Sequence, residues 1–367
     1  MTAVGRFVSK SMFFLFLICC AGFALGVLST YISPSWFWPL GYFGLASPFF
    51  LIFLILFLIY WLLTSNKKCI WPLLVLVLGG NTATNVFSIS LKKESTNTKD
   101  AIKVMSYNVR NFELYDWDNN AGKRDIMFAL IDKEQPDIIC FQEFYDHPGG
   151  HTTLAGAAQK LGFNHTYFEV GVRARENQSF GAAIFSRFPI IAKQRILPNT
   201  KGKGNLAIQA DIITNEDTIR VYNLHLASIR LEEDDYEYLD EIKEEGTKAA
   251  NKKRSKQLVK KIREAFVQRS LQAGQIKREI RKSPYPAIIA GDFNDIPSSF
   301  TYRVIKKDLK DTHKSQHVGM GGTHTGVAPF LRIDYILTSP EFEIHAQKTI
   351  KKKISDHFPV VAEVSLK

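Results

Sequence analysis

Cysteine is scarce: Cys19, Cys20, Cys69 and Cys140 are the only four in 367 residues. None sits in a CxxC or Cys/His spacing, which argues against a disulfide framework and a structural zinc. The Gly-rich dinucleotide and phosphate-loop signatures are absent, as are HExxH and GxSxG, so the chemistries those motifs carry find no support. Charge is thin at the start of the chain. Residues 1–100 hold seven Lys/Arg and two acids, Glu94 and Asp100, whereas the other 267 residues hold 40 basic and 34 acidic groups. The formal net charge of +11 divides into +5 and +6. It is not one large field suited to a nucleic-acid backbone. The length fits two ordinary domains, or one large domain with extra segments.

The missing charge leaves long apolar runs. Ser11–Ile32 and Trp36–Leu63 contain no charged residue. A bilayer core needs about 20 apolar residues in a helix, and both runs meet that length. A cleaved signal peptide could explain the first run alone, but the second follows at once. Ile70–Gly80 is also strongly apolar; Asn81, Thr82, Thr84 and Asn85 follow it. Extended to Leu91 it is long enough to span, with a reentrant or interfacial segment as the alternative. The expectation is a transmembrane region over residues 1–91, with helices at about 12–32, 36–63 and 70–90. Arg6, Lys10, Lys67 and Lys68 put the N-terminus and the second connection in the cytoplasm. Three spans make the protein multi-pass and place the rest of the chain outside; two would leave it in the cytoplasm. The polar stretch 92–100 reads as a linker.

From Ala101 the pattern changes to short apolar runs, among them Ile102–Tyr107, Asp137–Gln142, Gly181–Ser186, Ile219–Leu224, Ala287–Gly291 and Ile333–Leu337. Such runs read as strands. Helical patterns lie between them at Lys123–Lys133, Leu154–Leu161 and Asn251–Arg281, the last ended by Pro284 and Pro286. Alternating strands and helices indicate a layered α/β domain over residues 101–367.

Polar residues fall where the runs stop. Asn108, Glu143, His225, Asp292 and Asn294 each follow an apolar run, and strand ends share a rim. One such residue is usually a turn former or cap; five together point to a site. Asp292 and Asn294 are two apart and so share a strand face. A carboxylate beside an amide suits a phosphate site, where one handles water and the other donates to developing charge. Glu143, Asp356 and Asn108 are hard oxygen ligands of the kind Mg²⁺ takes. His357 is an imidazole that a carboxylate could orient, and His225 one that could donate to a phosphoryl oxygen.

The segments YNVRNF, FQEFY, SRFPI, NLHLAS, GDFND, RIDYIL and SDHFPV occur in this order. The ordered set resembles the endonuclease/exonuclease/phosphatase superfamily over about Ile102–Leu366. The resemblance implies a four-layered α/β sandwich, two mixed β-sheets flanked by helices, preceded here by the transmembrane region. It implies a metal-dependent phosphoric ester hydrolase using Mg²⁺, with Mn²⁺ as a substitute. By position, Glu143 matches the principal metal ligand, with Asn108 and Asp356 in the metal region. Asp292 and Asn294 match the pair handling the attacking water and the transition-state phosphate. His357 matches the active-site histidine and Asp334 the aspartate that holds it; His225 matches a phosphate-contacting histidine. The base is left open between Asp292 and the Asp334–His357 pair. The expected partners are a lipid bilayer and a phosphoester: a phospholipid headgroup, a small phosphoester or a nucleic acid. A nuclease proper and a non-catalytic binding protein on the same fold are the alternatives.

Two features depart from that pattern. An insert over residues 231–282 is acidic at Glu232–Glu245 and basic at Lys248–Lys282. It reads as a solvated helical hairpin with complementary faces, or as a contact for substrate or lipid headgroups. Thr323 and His324 border the cleft or form a turn.

Overall fold

The computed structural model describes residues 3–64, 67–90, 100–116, 122–149, 152–174, 177–197, 205–215, 217–246, 251–326 and 331–367. The expected linker lies outside them apart from Asp100. The chain divides into two compact units. Met1–Val86, Ala227–Leu271 and Pro297–Arg303 form the first; Phe87–Leu226, Gln272–Ile296 and Val304–Lys367 form the second.

The first unit is helical. It opens with α1 (Ala3–Tyr31), α2 (Pro34–Phe37) and α3 (Leu40–Thr64). The second apolar run is therefore not one helix: α2 stops and α3 starts around Pro39, which has no N–H to continue a helix but is tolerated at the start of the next. Segments Ser9–Tyr31 and Leu40–Thr64, 23 and 25 residues, are long and apolar enough to cross a membrane. They pack antiparallel through small residues. A Cβ on Gly26 would stand 2.3 Å from Ser47 Oγ, and one on Gly44 2.5 Å from Ser29 Oγ. Such contacts let the two backbones approach closely. Their other faces leave Phe14, Leu15, Ile52, Phe53 and Leu56 exposed.

A single helix over 70–90 does not form. The chain makes α4 (Ile70–Leu78) and α5 (Gly80–Val86), and then β1 (Ser88–Ile89). The break falls at the Gly79–Gly80 pair, where backbone entropy disfavours helix, and the polar run after it lowers the apolar drive. The pair still travels along the bundle. Lys68 Nζ donates to Ser9 Oγ at 3.3 Å, near the start of α1. Gly79 lies against the ring of Phe23, roughly 21 Å further along α1 at 1.5 Å per residue.

Besides the short segment Pro297–Arg303, the rest of the first unit is mainly the insert. α8 (Glu233–Glu245) and α9 (Lys252–Arg281) are the expected helices; α9 continues past Leu271 into the second unit. Complementary charge joins them: Arg254 Nη1 meets Glu241 at 2.8 Å, and Lys261 Nζ meets Asp235 at 2.6 Å and Glu232 at 2.9 Å. The Tyr238 hydroxyl sits 2.5 Å from Ser255 Oγ.

The second unit holds two six-stranded mixed sheets. One runs β13 (Phe342–Thr349), β14 (Val360–Leu366), β2 (Ile102–Asn108), β3 (Ile138–Asp146), β5 (Ser179–Ser186), β4 (His165–Arg173). The other runs β10 (Lys310–Asp311), β12 (Asp334–Thr338), β9 (Ala287–Asp292), β8 (Asp217–His225), β7 (Leu206–Thr214), β6 (Ile190–Arg195). Among the described residues, β2–β3 and β8–β9 pair in parallel and the other neighbours in these sheets are antiparallel. The core between the sheets joins Val104, Ile138 and Ile184 of one to Ile208, Val221, Ile288 and Ile336 of the other. Outside the first sheet, Met105, Ile139 and Phe141 pack on α6 (Lys123–Glu134) and α7 (Leu154–Leu161). Outside the second, residues 272–281 of α9 bury Ala273 and Ile276, and Tyr222 donates to the Glu279 carbonyl at 3.2 Å. The result is the four-layered sandwich.

Candidate active site

The two parallel pairs direct their ends to one rim. β2 ends at Asn108, and a bulge in neighbouring β3 lies where the register against β5 shifts between Phe141 and Phe144. The bulge carries Glu143 at φ 53°. In the facing sheet, His225 ends β8 directly opposite Asp292, which ends β9. Asp334 opens antiparallel β12 and is itself opposite Asp292. Asn294 follows at φ 51°. A left-handed backbone is costly for residues with a Cβ, and such positions gather at functional sites. Here it aims Glu143 and Asn294 into the rim.

All eight residues singled out in the sequence belong to one cluster. The Asn108 amide donates to Asp292 Oδ2 at 3.1 Å and to Glu143 Oε1 at 3.4 Å. Asp292 accepts the Asn294 backbone N–H at 2.7 Å and its side-chain amide at 3.1 Å. That amide also donates to the Leu226 carbonyl at 3.1 Å. Both of its hydrogens are thus engaged inside the protein, so Asn294 fixes Asp292 here instead of facing outward. His225 Nε2 stands 3.5 Å from Glu143 and 3.9 Å from Asp292. His357 Nε2 stands 3.8 Å from Asp292, while its Nδ1 meets both Asp334 oxygens. Asp356 accepts from Ser355 Oγ and lies 3.6 Å from Arg110 Nε.

Crowding of buried charge shifts the titration. Burial raises the Glu143 carboxyl above its usual range, and the Asp356 charge adds to this. Burial also raises Asp292, with the His357 charge opposing and Asp334 reinforcing. Burial alone would lower His357, but Asp334 and Asp292 outweigh it and hold the imidazole well above its ordinary value. Such a crowd of oxygen donors fits a hard divalent cation, which would offset the repulsion. Among the described residues, two groups bring ligand atoms within 4.8 Å of one another: Asp292, Asp334 and His357, and His324, Asp356 and His357. Glu143 is in neither group; the Asn108 amide links it to Asp292.

Sequence reasoning missed part of the site. Arg110 reaches Asp356 from a left-handed stretch, Arg110–Glu113, with φ from 45° to 58°. Four residues in that conformation cost roughly 1–2 kcal/mol each, and the absence of glycine hides the turn from sequence. His324 was not missed, having been expected to border the cleft or form a turn: its ring lies 4.9 Å from His357 at 79°, and its Nδ1 accepts the Gly326 N–H at 3.0 Å. Beneath the rim a buried amide pair spans the sheets. Gln142 Nε2 donates to Asn223 Oδ1 at 2.7 Å, and Asn223 Nδ2 donates to the carbonyls of Phe141 and Ala183 at 2.8 and 2.9 Å.

Solved structures share this fold at low sequence identity. An endonuclease/exonuclease/phosphatase from Beutenbergia cavernae is 20% identical with a TM-score of 0.53, covering 73% of this chain and 72% of its own. The human Nocturnin catalytic domain with bound sulfate is 19% identical with a TM-score of 0.52, covering 76% and 97%. A mannosyl-6-phosphatase from Bacteroides thetaiotaomicron is 20% identical with a TM-score of 0.51, covering 72% and 100%. No curated protein matches the chain. Residues 9–86 match a domain of unknown function, DUF8431, which covers the helices of the apolar region. The rim residues all fall within a second match, over residues 105–357, and by that match the chain belongs to the Endonuclease/Exonuclease/phosphatase family.

Proposed function

We propose that the protein is a membrane-anchored, divalent-metal-dependent phosphoesterase that hydrolyses a phosphodiester or phosphomonoester by in-line attack of water. The observation that carries this reading is the convergence of Glu143, Asp292 and the Asp334–His357 pair on one rim. Asn108, Glu143 and Asp356 would hold Mg²⁺, with Mn²⁺ as a substitute. The ion, when bound, supplies charge neutralisation on the phosphate and the leaving oxygen.

The chain's own groups divide the remaining work. Asn294 and Asn108 hold Asp292 in one orientation by three hydrogen bonds. Asp334 keeps a proton on His357 Nδ1, and an imidazole held charged between two carboxylates is a poor proton acceptor. Asp292 is then the group placed to take the proton of the attacking water. His225 is placed to donate to a phosphoryl oxygen. Two structural neighbours, a mannosyl-6-phosphatase and the Nocturnin catalytic domain with bound sulfate, are consistent with a tetrahedral anion as ligand.

The apolar helices are the anchor. α1 and α3 cross once each; α4 and α5 together, about 25 Å at 1.5 Å per residue, return the chain to the Tyr31–Leu40 end. With Arg6, Lys10, Lys67 and Lys68 on the cytoplasmic side, the catalytic unit lies outside the cytoplasm. Hydrolysis of phosphodiester and phosphomonoester substrates by the purified full chain, with and without Mg²⁺, tests the reading. We expect Asp292→Ala to abolish metal-dependent turnover without unfolding the protein. Glu143→Gln should raise the Mg²⁺ concentration for half-maximal rate by about tenfold or more. Wild-type turnover in Asp292→Ala would remove the assignment.

A further inference from the structure

The insert's basic helix has two faces with different occupants. One face meets α8, where Arg254 and Lys261 are spent on Glu241, Glu232 and Asp235. The other meets the end of the membrane helices. The Tyr42 hydroxyl donates to the Val259 carbonyl at 3.1 Å, and the Tyr42 and Phe266 rings lie 5.5 Å apart, edge to face. The Arg263 guanidinium sits 5.3 Å from the Trp38 ring. Phe266 covers Gly41 so closely that a Cβ there would stand 2.5 Å from its ring. Outside the insert, Ser298 Oγ donates to the Gly44 carbonyl of α3 at 3.0 Å. The insert is therefore fixed to the turn between α1 and α3, at the end of the apolar helices.

Helical spacing extends the contacting stripe. Phe266, Arg263 and Val259 recur every three or four residues, and the next positions toward the N-terminus are Lys256 and Lys252. Both are exposed, and neither forms an ion pair among the described residues. The stripe that touches the membrane helices at one end thus carries two lysines beyond them at the other. Trp36 and Phe37, in the same turn, are 80% and 50% exposed. Aromatic residues at a helix end mark the depth of the headgroups.

We propose that the Lys252–Lys256–Arg263 stripe of α9 lies on the bilayer surface and binds anionic phospholipid headgroups. The proposal rests on the membrane-anchored reading above and adds its lipid preference. Two observations support the occupant: continuity with the packed helix end, and two exposed lysines on that face that form no ion pair among the described residues. A surface of anionic lipid attracts each basic residue within a Debye length.

The test uses the full chain in nanodiscs of phosphatidylcholine, with and without a third of phosphatidylglycerol. Amide hydrogen exchange is read over residues 252–264 and over α1 and α3. We expect exchange over 252–264 to slow several-fold with phosphatidylglycerol. High salt should erase the difference, as should the Lys252→Glu/Lys256→Glu variant. Lys252 opens the helix, where an acid is favourable, and Lys256 is exposed, so that variant is expected to fold; Lys252→Gln/Lys256→Gln gives the same comparison without charge reversal. Protected α1 and α3 with equal exchange over 252–264 in both discs overturns this proposal alone. Rapid exchange in α1 and α3 in both discs overturns the anchor and this proposal with it.

Discussion

Both carboxylate oxygens of Asp334 stand 3.1 Å from Nδ1 of His357. The contact is buried, and Thr323 Oγ1 accepts the Asp334 backbone N–H at 3.0 Å beneath it. Asp334 thereby orients the His357 ring, holds the proton on its Nδ1 and supplies part of the charge that raises it.

Asp334→Asn keeps the shape and removes the charge. His357 then loses one of the two carboxylates that hold its proton, so its pKa falls. Activity that needs the protonated ring is lost as pH rises through that pKa, so the descending limb moves to lower pH. We expect turnover to drop by about 10²–10⁴-fold, the range of a positioned acid or base. The pH–rate profile of the purified variant measures both. An unmoved alkaline limb would detach Asp334 from the chemistry.

The amide pair beneath the rim is the next target. Asn223 and Gln142 are fully buried, and each satisfies groups on the opposite sheet. Asn223→Ala takes the side-chain donor from the Phe141 and Ala183 carbonyls and one acceptor from Gln142 Nε2, which keeps the Cys140 carbonyl at 3.0 Å. Leaving buried polar groups unpaired costs about 1–3 kcal/mol. We expect thermal unfolding to begin several degrees lower, with the Mg²⁺ dependence of the remaining activity unchanged. An unaltered melting temperature would show that water or neighbours replace the pair.

The sequence made the layered α/β domain and its rim legible for a physical reason, while the four-layered sandwich came only with the family resemblance. Strand ends are where apolar runs stop, so the polar residue that follows each run marks the rim even without coordinates. Asn108, His225 and Asp292 were found that way. Contacts that depend on backbone geometry were hidden. Nothing in the letters marks Arg110–Glu113 as left-handed, because no glycine announces it. The engaged amide of Asn294 depends on the Leu226 carbonyl, 68 residues away. The break in the third apolar segment was visible as Gly79–Gly80, yet its apolar length suggested one helix. The insert's hairpin was legible from opposite charges, but its attachment at Gly41 and Tyr42 was not, because that contact joins residues more than two hundred apart.

His324 makes a separate test of the cleft. Its Nδ1 accepts a backbone N–H, so its proton sits on Nε2. Burial, with the nearby His357 charge, keeps it neutral by lowering its pKa. A neutral imidazole of fixed tautomer is a donor that does not titrate in the working range. If it meets the phosphate only as charge develops, His324→Ala should lower kcat on the order of 10² with little change in KM. His324→Asn, which keeps a donor, should recover part of the rate. A KM effect alone would make His324 a ground-state contact.

A histidine away from the rim gives the pH dependence of stability. His313 lies in α10 (Thr312–Gln316), buried and stacked on His317 with ring centroids 5.2 Å apart. Burial, with Arg332 adding to it, pushes His313 down from 6.5 to about 4. Between those values the unfolded chain binds a proton that the folded chain does not. Stability is therefore full above about pH 6.5 and falls as the pH drops toward 4, by at most about 3 kcal/mol. His313→Gln removes the proton site from both states. We expect the wild-type protein to melt at steadily lower temperature from pH 7 to pH 4.5, and the variant to show a shallower slope. Equal slopes would mean that His313 takes up its proton in the folded protein as readily as in the unfolded one.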